Sequence, residues 1–281
     1  MGDKGKLYVC PTPIGNLDDI TFRVHETLKS VDLIAAEDTR HSKKLLNHFD
    51  IHTPIFSYHE HNKGKAGPIL IEKMLGGSSV AIVTDAGTPG ISDPGEDLIK
   101  LAIDEDIQVV SQPGATAFVT ALVASGLPTG KFVFEGFLDR HKKKRKEALE
   151  ALKNETRTLI FYEAPHRLGQ TLESMLDVLG DRQMTAAREL TKRFETYVRG
   201  SVSEVIEHYK TEQPRGEFVL IVSGIDPDDI ETEADPFLEM DIEDHLKHFI
   251  NQGMRKKEAA ALVASARGLN KRDVYKVTID I

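Results

Sequence analysis

The stretch from Thr84 to Gly95, TDAGTPGISDPG, follows the apolar run Ser79 to Val83 and precedes a helical pattern. Its three glycines remove Cβ atoms from a contact surface, and Pro89 and Pro94 stiffen it before anything binds. A plain strand-to-helix connection needs about two to six residues. This one is longer and also carries Asp85, Thr88, Ser92 and Asp93, so it reads as a loop that holds a polar ligand against its backbone. Two later clusters mix acid and base over a few residues: Glu163-Ala164-Pro165-His166-Arg167, and the run RELTKRFE from Arg188 to Glu195. A backbone-lined pocket faced by such charges suits a reaction that positions a pre-activated cofactor against an acceptor.

Other chemistries lack their residues. There is no G-x-x-x-x-G-K-[ST] phosphate loop, no G-x-G-x-x-G after a strand, no H-E-x-x-H pair and no G-x-S-x-G elbow. His41, His48, His52, His59 and His61 are neighbours in sequence without a carboxylate set that would make them ligands, so no metal is expected. The single cysteine, Cys10, ends an apolar run and reads as core packing, not as a nucleophile.

The elements that must position these groups follow a βαβα rhythm. Short apolar runs at Leu7 to Cys10, Asp32 to Ala36, Pro54 to Tyr58, Ser79 to Val83 and Ile107 to Ser111 alternate with amphipathic stretches, which predicts an open parallel sheet covered by helices. Ligands of such sheets collect at the carboxyl ends of the strands. The unusual loops all fall there: Pro11 to Asn16, Glu37 to Arg40, the glycine loop, and Gln112 to Ala117. From about Lys131 the runs Phe132 to Phe137, Arg157 to Glu163, Met184 to Glu189, Thr196 to Gly200 and Glu217 to Ser223 predict a second α/β domain with a mixed sheet. Pro165 stands where the first turn of a helix with a leucine-rich stripe would begin. The expected division is 1–118, 119–225 and 226–281, the last an acidic linker followed by a small basic helical domain.

With 281 residues and 40% hydrophobic content the chain can bury a sizeable core. No apolar run approaches the ~20 residues of a membrane span, and the polar lead-in from Met1 to Lys6 lacks the apolar region of a secretory signal. A cytoplasmic protein with no membrane partner is expected. The net charge of −9 is unevenly spread: Asp226 to Asp244 holds ten acids and no lysine or arginine, whereas six of the seven residues from Arg140 to Lys146 are lysine or arginine. Arg255 to Lys276 adds seven basic residues against two acidic. Local basic patches on an acidic chain fit docking to a folded polyanion at one face.

Taken together in order, Thr12 to Thr21 (TPIGNLDDIT), Ala36 to Arg40, the glycine loop, Pro113 to Ala117, Phe134 to Leu138, Glu163 to Arg167 and Arg188 to Lys192 resemble the 16S ribosomal RNA cytidine-2'-O-methyltransferase family of the tetrapyrrole methylase superfamily. The chain departs from that pattern at Thr84 and Thr116, where serine is common, and at Asp139, where proline is common. The resemblance implies an α/β, two-domain tetrapyrrole-methylase-like fold with a small C-terminal helical domain. It also implies S-adenosyl-L-methionine as methyl donor, a homodimer, and a decoding-region cytidine of 16S rRNA within the 30S subunit as acceptor. On that basis the cofactor is expected against Pro13, Gly15, Asp85, Gly87, Thr88, Pro89, Ile91, Ser92, Gly114, Thr116, Ala117, Tyr162 and Glu163. RNA is expected against Arg40, Lys142, Lys143, Lys144, Arg145, His166 and Arg167. Lys192 and Arg188 are assigned to charge stabilisation and substrate placement, and Glu163 or Glu189 to accepting a proton or hydroxyl hydrogen bond. Two other readings stand beside it: a porphyrinoid methyltransferase of the same superfamily, and a ligand-sensing helix-turn-helix protein whose base-contacting helix would be Lys271 to Ile281.

Overall fold

The computed structural model describes residues 4–230 and 240–279. The outermost residues of the expected polar lead-in, the middle of the acidic linker and the last two residues of the expected base-contacting helix lie outside them. Contacts divide the chain into two compact units, Met1–Ile225 and Asp226–Ile281.

The first unit contains two five-stranded sheets. Strands β1 (Lys6–Val9), β2 (Leu33–Ala36), β3 (Ile55–Ser57), β4 (Val80–Val83) and β5 (Gln108–Ser111) pair in parallel in the order β3-β2-β4-β1-β5. Both faces are covered. Leu7, Val9, Val80 and Ile82 pack with Leu70 and Met74 of α3 (Lys63–Leu75) and with Leu98 and Ala102 of α4 (Gly95–Asp104). Cys10, Ile34, Ala81 and Val83 pack with Val24 and Leu28 of α1 (Phe22–Ser30) and with Leu46 of α2 (Thr39–His48). All four residues of β4 are therefore buried, which is why it reads as an unbroken apolar run. Cys10 is fully buried, and burial pushes its thiol up to about 12.

The second sheet joins β6 (Phe132–Phe137), β7 (Thr158–Glu163), β8 (Gln183–Arg188), β9 (Thr196–Ser201) and β10 (Phe218–Val222) in the order β6-β7-β10-β8-β9. Only β6 and β7 run parallel, so the sheet is mixed. One face packs on α7 (Leu168–Leu179) and α8 (Val202–Thr211) through Leu172, Met175, Val205, Phe161 and Leu220. Its other face receives α5 (Ala117–Ser125), with Ala121 and Leu122 against Ile160, Ala187 and Ile221. The expected break between 118 and 119 therefore cuts through α5, whose Ala121 and Leu122 belong to the second sheet's core. Helix α7 begins three residues after Pro165, since Ala164 to Arg167 form a turn in which the Arg167 N–H reaches the Ala164 carbonyl at 3.0 Å.

Helix α6 (Lys142–Glu150) carries the basic run. In the turn before it, Asp139 accepts the His141 N–H at 2.7 Å, which holds the carboxyl below its usual range together with the charge of Lys144. In the second unit, α9 (Ile242–Asn251), α10 (Lys256–Arg267) and α11 (Lys271–Val277) enclose a small core of Leu246, Ala259, Ala260, Val263 and Val274. Gly268, left-handed at φ 64°, ends α10.

Candidate active site

Strands β4, β1 and β5 are neighbours, so the loops that follow them meet. Thr12 and Gly87 exchange backbone hydrogen bonds at 2.9 and 3.0 Å, and the Thr12 hydroxyl donates to the Thr84 carbonyl at 3.1 Å. Thr88 reaches the fifth-strand loop, its hydroxyl 3.1 Å from the Ala115 carbonyl and 2.8 Å from the Thr116 hydroxyl. Asp93 closes the glycine loop on itself by accepting the N–H groups of Gly90 at 2.9 Å and Gly95 at 2.7 Å. Gly87 and Gly90 both sit at φ 87°, and Ser92 holds a left-handed φ of 63° despite its side chain.

These loops form one wall of a cleft of about 220 Å³. From the first sheet it is lined by Thr84, Asp85, Ala86, Gly87, Thr88, Ile91 and Ser92, with Thr116 and Ala117 beside them and Ile14 from the first loop. The second sheet contributes Phe137, Tyr162, Glu189, Leu190, Lys192, Glu217, Phe218 and Val219. The structure thus brings together Asp85, Gly87, Thr88, Ile91, Ser92, Thr116, Ala117, Tyr162, Glu189 and Lys192 from the expected set. Glu189 and Thr191 are left-handed at φ 51° and 65°, so two more side-chain-bearing residues in strained backbone lie at or next to this cleft. Lys192 Nζ donates to Glu189 Oε1 at 2.9 Å.

Several expected residues do not line it. A Cβ on Gly114 would lie 2.4 Å from the Pro11 side chain, so this glycine seats the fifth-strand loop on the first loop. A Cβ on Gly15 would lie 2.5 Å from Lys192 Cγ and 2.9 Å from the Leu190 carbonyl, so it admits the loop that follows β8. Pro13 and Pro89 shape their loops without bordering the space. Glu163 is fully buried: its carboxylate accepts from the Ala164 N–H and the Thr171 hydroxyl and pairs with Arg167 Nε at 3.2 Å. Its side chain points into the fold beneath the cleft wall, and Arg188 is likewise turned away onto Glu212.

Of the expected RNA-facing residues, Lys142, Lys143, Lys144 and His166 are exposed. Arg40 is exposed too, its guanidinium on Asp38 Oδ2 at 3.1 Å. Arg145 is buried, with Nε on Ser174 Oγ at 3.0 Å and Nη1 on the Arg140 carbonyl at 3.3 Å, so it anchors α6 to α7. Arg167 is held between Glu163 and the Leu138 carbonyl.

The lining residues that sequence reasoning missed are Ile14, Thr84, Ala86, Phe137 and Leu190, together with Glu217, Phe218 and Val219 at the start of β10. Phe218 pairs with both Glu163 and Arg188 in register, so the start of β10 lies between the carboxyl ends of β7 and β8 and brings Glu217, Phe218 and Val219 to the cleft. Only the strand pairing reveals this. Phe137 was visible as the end of a strand, but its direction was not. Electrostatically the lining holds three carboxylates, Asp85, Glu189 and Glu217, against the one ammonium of Lys192. Behind it, part-buried Glu37 accepts the Thr84 hydroxyl at 3.0 Å, and burial raises its carboxyl, with Asp85 and Asp93 adding to the rise. Burial pushes the Tyr162 phenol up to about 12.

Residues 6–206 match the family model described as Tetrapyrrole (Corrin/Porphyrin) Methylases. The chain is 52% identical over 279 residues to "Ribosomal RNA small subunit methyltransferase I" of Halalkalibacterium halodurans, covering 98% of this chain and 95% of that one. It is 50% identical to the protein of the same name in Bacillus subtilis, covering 97% and 94%. Among solved structures, uroporphyrin-III C-methyl transferase from Thermus thermophilus complexed with S-adenyl homocysteine is similar in fold, with a TM-score of 0.55 at 17% identity over 77% of this chain and 97% of that one. Fold, loop order and sequence similarity over nearly the whole chain agree, and the chain belongs to the ribosomal RNA small subunit methyltransferase I family of the tetrapyrrole methylases.

Proposed function

We propose that this protein transfers a methyl group from S-adenosyl-L-methionine to the ribose 2'-oxygen of a cytidine in the decoding region of 16S rRNA, within the 30S subunit. The observation that carries the reading is the 50–52% identity, over nearly the whole chain, to relatives named as methyltransferases of small-subunit ribosomal RNA. The lining of the cleft supports it. A sulfonium donor and its ammonium group are cationic, and three carboxylates against one ammonium suit such a ligand. The donor supplies an activated methyl group, so the chain has to bind, orient and exclude water. Asp85, Gly87, Thr88, Ile91, Ser92, Thr116, Ala117 and Tyr162 would hold it, with the left-handed Gly87 giving close access to backbone. Lys192 stabilises negative charge developing on the acceptor oxygen, and Glu189, 2.9 Å away, orients Lys192 and takes the hydroxyl proton. Lys142, Lys143 and Lys144 dock the particle through phosphates.

The same reading takes the protein as cytoplasmic and homodimeric; Val119 and Val123, exposed four residues apart on α5, offer an apolar face to a second copy. The test is incubation with radiolabelled S-adenosyl-L-methionine and bare 30S particles, followed by nucleoside mass spectrometry of the digested RNA. The expected product is 2'-O-methylcytidine in an alkali-resistant linkage. Label on a base, or none in RNA, overturns the reading.

A further inference from the structure

Strand β6 carries an irregularity in its pairing with β7. Phe134 pairs with Ile160, Gly136 with Phe161 and Phe137 with Tyr162, so one extra residue is inserted between Phe134 and Gly136. Side chains alternate along a strand, so without that insertion Phe134 and Phe137, three residues apart, would point to opposite faces. With it, both face the side of the sheet that bears Tyr162. Gly136 makes the bulge possible: it is left-handed at φ 65°, and a Cβ there would lie 3.1 Å from Ser92 Oγ of the glycine loop. The bulge thus seats the glycine loop and turns Phe137 into the cleft mouth.

Phe137 is 50% exposed and still lines the cleft. Its ring is braced from behind: its centroid is 5.4 Å from Tyr162, which is 5.0 Å from Phe134, which stacks at 4.6 Å on Phe118 of α5. A rigidly held aromatic face that is open to solvent beside a reaction cleft is the feature on which an unpaired base stacks. We propose that Phe137 binds the base of the acceptor nucleotide, so that the protein takes an unpaired nucleotide splayed out of its strand and reads it by stacking, while the ribose lies toward Lys192. This rests on the RNA reading above and adds the residue and the state of the RNA that it accepts.

Phe137→Leu removes the π face and leaves an apolar side chain, and Phe137→Trp keeps the face. Neither opens a buried cavity, because the ring is half exposed. Methyl transfer to bare 30S particles and calorimetric titration of S-adenosyl-L-methionine are measured for both and for the parent. Phe137→Leu should raise KM for the particle about tenfold or more with cofactor affinity unchanged, the loss expected of one stacked base. Phe137→Trp should restore it. Parent-like KM in Phe137→Leu overturns the proposal, and so does a loss of cofactor affinity, which would make the ring a cofactor wall. If the parent labels no RNA, the functional reading falls and this one with it; that result is distinct from a parent that labels RNA and a Leu variant that does so equally well.

Discussion

The Lys192 ammonium donates to the Glu189 carboxylate across 2.9 Å, and both residues border the cleft. The pair is held by backbone in unusual conformations on both sides. Glu189 is left-handed at φ 51°, and Gly216 opposite it leaves room that a Cβ would fill to within 2.1 Å of Glu189 Oε1. Gly15 of the first loop gives way beneath Lys192 in the same manner. Three segments far apart in sequence therefore converge to fix one ammonium.

Lys192→Met keeps the aliphatic stem and removes that charge. Cofactor affinity should survive while single-turnover methyl transfer falls by ~10²-fold or more, as for the loss of one preorganised electrostatic group. Parent-like turnover in the folded variant would remove Lys192 from the chemistry.

Glu163 behaves differently, because its fully buried carboxylate is satisfied inside the fold by Ala164, Thr171 and Arg167. Glu163→Gln leaves the Arg167 charge without its partner and should cost roughly 1.5–3 kcal/mol, read as a lower urea midpoint. Turnover of the folded enzyme should stay within about threefold of the parent, since nothing within the cleft changes. An unchanged midpoint with lost turnover would return Glu163 to the site.

The contrast shows what was legible in the chain. The ten strands among the described residues were readable, most of them as short apolar runs, and the glycine loop stood out by its residue types. The direction of a side chain at a strand end was not. Glu163 and Arg188 point away from the cleft while Tyr162 and Glu189 point in, and that one-residue alternation depends on which face α5 covers. Glu217, Phe218 and Val219 were hidden for a related reason: antiparallel pairing with β7 and β8 carries the start of β10 to their ends. Arg145 looked like its lysine neighbours until Ser174 was placed beside it.

Glu37 gives the pH dependence. Its carboxyl is raised above the ordinary 4.5 by burial, with Asp85 and Asp93 adding to it and the Thr84 hydroxyl opposing. Between 4.5 and the raised folded value the native state binds more protons than the unfolded state, so the stability slope with pH is negative. Glu37 therefore stabilises most below 4.5 and loses that contribution as pH rises through its folded value. Glu37→Gln keeps an acceptor for Thr84 without the charge, so it should be more stable than the parent at neutral pH, with the advantage shrinking in acid. Urea midpoints from about pH 4 to about pH 7.5 check this, at about half-unit steps; a variant less stable at neutral pH would show that Glu37 is held charged by favourable contacts.

On α6, the five consecutive basic residues separate into three kinds, with part-buried Lys146 paired to Asp177. Lys142, Lys143 and Lys144 are exposed, and the latter two make only exposed ion pairs, with Glu147 at 3.9 Å and Asp139 at 3.8 Å, which are weak in water and leave both available to phosphate. Arg145 is buried and bonded to Ser174 and Arg140. Replacing the three lysines with glutamine should weaken binding to 30S particles and flatten its dependence on salt, by up to ~0.9 in log–log slope for each phosphate that a lysine no longer neutralises. Cofactor affinity and the unfolding midpoint should not move. Arg145→Ala should do the reverse, costing roughly 2 kcal/mol of stability by stranding buried hydrogen-bond partners, with the salt slope of the folded protein unchanged. Filter binding over a salt series, with urea melts of the same samples, measures both. A parent-like slope in the triple variant would reduce the run to a solvated helix start. A changed slope in Arg145→Ala, without loss of stability, would mean that this guanidinium leaves Ser174 to reach phosphate.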